Sequence, residues 1–295
     1  MQQRYNSIGS HYDHTRNADP DILRDLASFL FPIENVRDVV DNSIQIPQQI
    51  PRTEIATNLQ ILDVGCGSGN YTRALAAVGG HWTGVDPSDT MLSQARAKQA
   101  AAGDKTTIRW LQADAENLPF PDHHFDGVLC SLCIHHFSNL AKSIEEIARV
   151  LVAHGRFVIF TATPRQMLGY WLWHYFPEMM RGASAQMPSL AAIDKLLVQV
   201  GLRVAQIKPY WISPRLQDKF LYSGKYQPEY YLSEEIRNGI SSFHLFCSER
   251  ELTDGLRRLE SDINSGEIKT IQKQYRSPAG EYMTIQIEPE ASLGT

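Results

Sequence analysis

The chain has 295 residues, 43% of them apolar and 21% charged, with a net charge of −5 and no basic excess, so nucleic acid is not an expected partner. Its four cysteines, Cys66, Cys130, Cys133 and Cys247, are too few and too scattered for a disulfide scaffold and suit a reducing compartment. The N-terminus is polar, without the apolar core of a signal peptide, and no run reaches the ~18 apolar residues of a membrane span, so a cytoplasmic protein without integral membrane association is expected.

Residues 1–58 read as an N-terminal helical lid and linker. Ser10 to Asp13 forms a candidate capping box. A helix follows in "ADPDILRDLASFL", with Asp19 as N-cap, Pro20 at its first position and Ile22, Leu23, Leu26 and Leu30 on one face. Residues 32–58, with Pro32, Pro47 and Pro51, read as linker.

From residue 59 strands and helices alternate. Strands are expected at 59–64, 81–86, 106–114, 125–132, 155–163 and 201–208. Helices are expected after Asn70, over 87–101, around Leu140–Leu151 and over 190–200. "GEYMTIQIEP" reads as a late strand. This order predicts an α/β, Rossmann-like, doubly wound sheet over 59–208 plus 280–289. Residues 164–188 and 209–279 interrupt the rhythm and read as helical cap insertions around a substrate.

The stretch "LDVGCGSGNY" joins the first strand to its helix. In open α/β sheets ligands bind beyond the carboxyl ends of the strands. Glycines there allow positive φ and keep Cβ atoms away from a ligand. Asp86, at the tip of the second strand, is placed to accept hydrogen bonds from ribose hydroxyls, as for any adenosine cofactor. The spacing is G-x-G-x-G, whereas the dinucleotide fingerprint is G-x-G-x-x-G. Asp63, just before the loop, would repel a pyrophosphate and attract a cofactor that carries an ammonium group.

Four motifs in order, "LDVGCGSG", "GVDPSDTMLSQAR", "QADAENLPFPDHHFDGVLCSLCIHHF" and "EEIARVLVAHGRFVIF", resemble the class I S-adenosylmethionine-dependent methyltransferases, in the subgroup of the ubiquinone/menaquinone-biosynthesis (methyltransferase type 11) enzymes. The resemblance implies a seven-stranded sheet with the last strand antiparallel, S-adenosylmethionine as cofactor and S-adenosylhomocysteine as product. It also implies a cofactor site, with Asp63 and the loop Gly65, Cys66, Gly67 and Gly69 at the methionine end and Asp86 and Pro87 at the ribose. Asp114, Ala115 and Met91 would then meet the adenine, and Leu132 would line the site. Met91 is equally readable as helix core. Tyr12 and Arg16, four apart in "YDHTR", resemble a lid helix whose guanidinium pairs with the methionine carboxylate; a solvated surface helix is the other reading. His154 stands where a glycine or proline is common in the family, and reads as a turn variant.

Methyl transfer asks the protein to position an acceptor and, where needed, take its proton. "CIHHF" follows the fourth strand, and His136, then His135, are the candidate bases; packing under the loop is the alternative. Cys130 and Cys133 are expected to face opposite sides of their strand, which argues against a redox or zinc pair, and no metal is expected. "GYWLWHYFPEMM" reads either as the wall of an apolar or aromatic acceptor site or as a core cap, and Tyr222, Tyr226, Tyr230 and Tyr231 share that choice. The expected partner is a small-molecule methyl acceptor, methylated on oxygen, nitrogen or carbon; the oligomeric state is left open. An NAD-dependent oxidoreductase and a non-catalytic S-adenosylmethionine-binding protein are the competing readings.

Overall fold

A computed structural model describes residues 15–31, 58–102 and 107–290. The expected capping box at Ser10–Asp13, Tyr12 and the linker over 32–57 lie outside the described residues. The first described helix, α1 (Pro20–Leu30), starts as its sequence dictates: Asp19 Oδ1 accepts the backbone N–H groups of Asp21 and Ile22, and Pro20 needs no partner at the first position. Arg16 lies before it in irregular chain and not in a helix.

The strands are β1 (Gln60–Val64), β2 (His81–Asp86), β3 (Arg109–Gln112), β4 (Phe125–Ser131), β5 (Leu151–Thr161), β6 (Leu202–Tyr210) and β7 (Tyr282–Pro289). They form one seven-stranded sheet in the order β3-β2-β1-β4-β5-β7-β6. β7 inserts between β5 and β6 and runs antiparallel to both. The crossover helices are α2 (Asn70–Ala76), α3 (Asp89–Ala102) and α4 (Leu140–Val150), with α8 (Leu190–Gln199) leading into β6.

Alternation along the strands feeds two apolar cores, one on each face. Ile61, Leu129 and Val158 join α1 and α2 in one core. Leu62, Val64, Val128, Cys130, Phe157 and Ile159 join α4 and α8 in the other. Every parallel strand therefore ends at the same edge of the sheet, where the loops after β1, β2, β3 and β4 converge.

Two local expectations are corrected. β5 starts at Leu151, not 155, and His154 lies inside it rather than in a turn. The reason is pairing: Phe125 sits opposite Leu151, and the backbone N–H groups of His123 and His124 donate to Arg149 and Val150, which draws the chain into the sheet early. Cys130 and Cys133 do not face apart. Leu132 between them has φ +54, which turns the chain so that both thiols enter one core. The Cys133 thiol donates to the Val64 carbonyl at 3.0 Å, and burial, then its Cys130 neighbour, pushes its pKa up.

The first insertion carries the short helices α5 (Pro164–Met167), α6 (Leu172–Tyr175) and α7 (Pro177–Ala185). The second carries α9 (Glu234–Asn238), α10 (Ser241–Phe246), α11 (Glu249–Ser265) and α12 (Ile268–Gln274). Tyr170, Trp171, Tyr175 and Phe176 are fully buried, as are Tyr222 and Tyr231, while Tyr226 is half exposed. Tyr170 and Tyr222 stack with centroids 4.0 Å apart. These rings are the core of the insertions. Glu281 fastens that core to β7: it takes the Lys225 ammonium at 2.9 Å and the Ile212 N–H at 2.9 Å. Among the described residues no helix is long and apolar enough to cross a membrane.

Candidate active site

A cleft opens where β1, β2 and β4 end, enclosing about 930 Å³ including space open to solvent. Its floor is the loop Gly65–Ser68, and Gly65, Gly67 and Gly69 all have positive φ. Their reasons differ. A Cβ at Gly65 would meet Cys133 at 2.7 Å, and one at Gly69 would meet Trp110 at 2.5 Å. A Cβ at Gly67, which lines the cleft, would meet nothing within 4 Å among the described residues. Gly65 and Gly69 thus serve packing, and Gly69 does not line the cleft; Gly67 keeps the cleft clear.

Asp86 forms the next wall. Its Oδ2 accepts the Gly67 N–H at 2.9 Å and its Oδ1 the Ser88 N–H at 2.8 Å. Burial raises its pKa, and the two N–H groups pull it back. Each oxygen keeps acceptor capacity for a further donor, since a carboxylate offers about four lone-pair positions. Pro87, Ser88 and Met91 continue this wall, and Cys66 lies in the loop floor. The cleft extends past Gly65, Pro87 and Phe137 to Asp114 and Ala115. There Asp114 is exposed and its Oδ1 already accepts the Glu116 N–H at 3.0 Å.

Asp63 is not at the mouth. It is 2% exposed beneath the loop and outside the cleft lining. Its Oδ2 accepts the Thr72 hydroxyl at 2.6 Å, and its Oδ1 has no hydrogen-bond partner among the described residues. Burial pushes its pKa up to about 7. An orphaned carboxyl oxygen under a bare-backbone loop leaves acceptor capacity for a water held beneath it.

Asp218, around which the sequence carries no motif, joins Arg16, Asn70 and Tyr71 in the cleft wall. Arg16 forms a bidentate pair with Asp218, through Nε to Oδ1 and Nη2 to Oδ2. The Tyr71 hydroxyl donates to Asp218 Oδ2 at 3.1 Å. The Asn70 amide donates to the Arg16 carbonyl at 2.8 Å, fixing the segment before α1 over the start of α2. The only signal for Asp218 in the sequence is an acid in "RLQDKF", which nothing local distinguishes.

On the side of β4, Arg16, Leu132 and His136 line both this cleft and a second chamber of about 550 Å³, including space open to solvent. His136 belongs to a 3₁₀ turn, Ile134–His136, and reaches the cleft, its Asp114 extension and the chamber; His135 reaches the chamber alone. The two rings lie 3.9 Å apart. Burial, then the Arg16 charge, lowers the His136 pKa to about 4. Burial, then His136, also holds the pKa of His135 well below its ordinary value, and His135 Nδ1 has no partner among the described residues. Both imidazoles are therefore neutral near pH 7, and a weaker base at His136 than the ordinary 6.5 suggests. The chamber is walled by Met167, Ala183, Met187, Phe220, Ile240 and Tyr282, with Arg16, Gln186, Ser241 and Ser242 as polar points beside the two histidines. The aromatic run 170–176 packs behind this wall and does not line it.

A family profile described as a methyltransferase domain matches residues 62–159. An uncharacterized methyltransferase of Bacillus subtilis, YcgJ, is 36% identical over 129 residues, 44% of this chain and 46%, under half, of its own length. The demethylmenaquinone methyltransferase of Thermus thermophilus is 32% identical over 164 residues, covering 54% of this chain and 69% of that protein. Among solved structures, a candidate methyltransferase from an antibiotic-biosynthesis pathway of Anabaena variabilis superposes with a TM-score of 0.73 at 30% identity, over 92% of this chain and 98% of that one.

Proposed function

The chain belongs to the class I S-adenosylmethionine-dependent methyltransferases, in the subgroup resembling the ubiquinone/menaquinone-biosynthesis enzymes, and on that premise we propose that it transfers a methyl group to a small, apolar or aromatic metabolite. One observation carries this reading: a nucleoside-sized cleft and a largely apolar chamber meet at Arg16, Leu132 and His136.

The cleft fits the cofactor on its own chemistry. Gly67 leaves backbone exposed, and Asp86 keeps acceptor capacity for a ribose diol. When bound, the cofactor supplies a methyl group already activated on a sulfonium. Asp86 would hold the ribose hydroxyls, Gly65, Cys66 and Gly67 would meet the cofactor through backbone, and Met91, Pro87, Asp114 and Ala115 would surround the adenine. Arg16 would face the methionine carboxylate.

The acceptor belongs in the chamber. Its apolar wall excludes water and favours an apolar or aromatic body. Leu132 holds a left-handed φ that a branched residue avoids, at a cost of ~1–3 kcal/mol, and strain of this kind gathers at functional sites. It sets the divider between the two spaces. His136 accepts a hydrogen bond, or a proton, from an acceptor hydroxyl or amine at the divider. His135 Nδ1 offers a second neutral contact inside the chamber. The free thiols suit a reducing compartment, the cytoplasm.

A crystal structure with S-adenosylhomocysteine tests the arrangement. The adenosine is expected beside Asp86 and Asp114, with the sulfur open to the chamber at Leu132. A sulfur turned away from the chamber contradicts the assignment of acceptor space.

A further inference from the structure

The cleft needs a negative group for an α-ammonium, and Asp63, the acid nearest the glycine loop in sequence, does not line it. Among the described residues two carboxylates line the main cleft, Asp86 and Asp218. Asp86 is bonded to the Gly67 and Ser88 backbone, on the side that leads through Pro87 to Asp114. Asp218 lines the cleft together with Asn70 and with its own partners Arg16 and Tyr71, and Arg16 also lines the second chamber.

Asp218 is 1% exposed and firmly held. It accepts two N–H groups of Arg16 and the hydroxyl of Tyr71. That uses three of about four lone-pair positions and leaves one on Oδ1. Two neighbouring contacts fix its loop: the Gln217 N–H donates to Asp19 Oδ2 at 3.0 Å, and the Lys219 N–H to the Thr15 carbonyl at 3.1 Å. A cation and an anion side by side in the wall of a nucleoside-sized cleft match a ligand terminus that carries one carboxylate and one ammonium.

We infer that Asp218, delivered by the loop after β6, is a cofactor-binding residue that takes the α-ammonium while Arg16 takes the α-carboxylate, so that the two together select the free amino-acid terminus of the cofactor. This rests on the cofactor reading above. It assigns to the second insertion a share of the cofactor site, besides any role in the acceptor chamber.

The test is calorimetric and needs no turnover. Three ligands are titrated: S-adenosylhomocysteine, its analogue lacking only the amino group, and 5′-methylthioadenosine, which lacks the whole amino-acid end. The unaltered protein is expected to bind the deaminated analogue about tenfold or more weakly than S-adenosylhomocysteine, the scale of one charge-assisted hydrogen bond. Asp218→Asn is expected to bind those two within about twofold of each other, and to bind 5′-methylthioadenosine as the unaltered protein does, within about twofold. Asn leaves the Arg16 charge buried without its partner, so the double variant Arg16→Gln, Asp218→Asn serves where the single one does not fold. It too is expected to lose the preference for the amino group. Retention of that preference in either variant overturns the inference, as does an equal loss for all three ligands, which a merely structural role would give. If the unaltered protein binds 5′-methylthioadenosine and S-adenosylhomocysteine while the variants keep the preference, the inference alone fails. If it binds neither, the cofactor reading fails with it.

Discussion

The Gly67 backbone N–H donates to Asp86 Oδ2 at 2.9 Å, so the tip of β2 holds the loop that leaves β1. Gly67 has φ +52 and open space where a Cβ would stand, whereas Gly69 has φ +75 with Trp110 at 2.5 Å. Gly67→Ala is expected to cost about 1 kcal/mol of stability, from φ alone, but to weaken S-adenosylhomocysteine binding clearly. Gly69→Ala is expected to cost about 2–3 kcal/mol, because the indole must move as well. Urea unfolding and calorimetry on both variants check the separation; equal effects on stability and binding would contradict it.

Asp86 is expected to read the ribose. Asp86→Ala should weaken S-adenosylhomocysteine binding roughly 10–100-fold, the worth of hydrogen bonds to a charged group. The same variant should lose little toward an analogue lacking both ribose hydroxyls. A parallel loss for both ligands would assign Asp86 to holding the loop alone.

Asp63 makes stability depend on pH with an unusual sign. Its folded pKa of about 7 lies above the ordinary carboxylate value, so the folded state holds the proton more tightly than the unfolded one. Stability from this group is present below pH ~4 and lost as pH rises toward 7, to an extent on the order of 3–4 kcal/mol. Asp63→Asn should therefore match the parent protein at pH 4 and gain on it steadily up to pH 7, in the absence of cofactor. Urea midpoints across that range check this. A constant difference at every pH would contradict it.

His136 acts in the opposite direction. Burial and Arg16 hold its folded pKa at about 4, below the unfolded 6.5. Its contribution is fully present above pH ~6.5 and lost as pH falls through 4. Long-range ¹H–¹⁵N spectra should show a neutral His136 ring down to pH 5, and Arg16→Gln should raise its midpoint. A midpoint near 6.5 in the unaltered protein would contradict the burial and the charge that the site assigns to it.

Much of the frame was legible in the sequence because its signals are local. Asp19 and Pro20 announce the start of α1 one residue apart, the strand–glycine–helix order announces the cleft, and the alternation in "EYMTIQIEP" announces β7. The rest depends on contacts far apart in the chain. Asp218 meets Arg16 across 202 residues, and no periodicity or spacing connects them. Asp63 is next to the loop in sequence yet beneath it in space, because β1 alternation turns its side chain under the sheet edge toward Thr72. The aromatic run at 170–176 satisfies two readings by composition, and only its packing against Tyr222 and Tyr231 places it in the core.

The most direct test is titration of the pure protein with S-adenosylmethionine, S-adenosylhomocysteine and NAD by calorimetry at two temperatures. The expected result is one site per chain for the sulfonium donor and for its demethylated product, and none for the dinucleotide. Heat from NAD, or no heat at either temperature from both sulfur nucleosides, would contradict the assignment of this cleft.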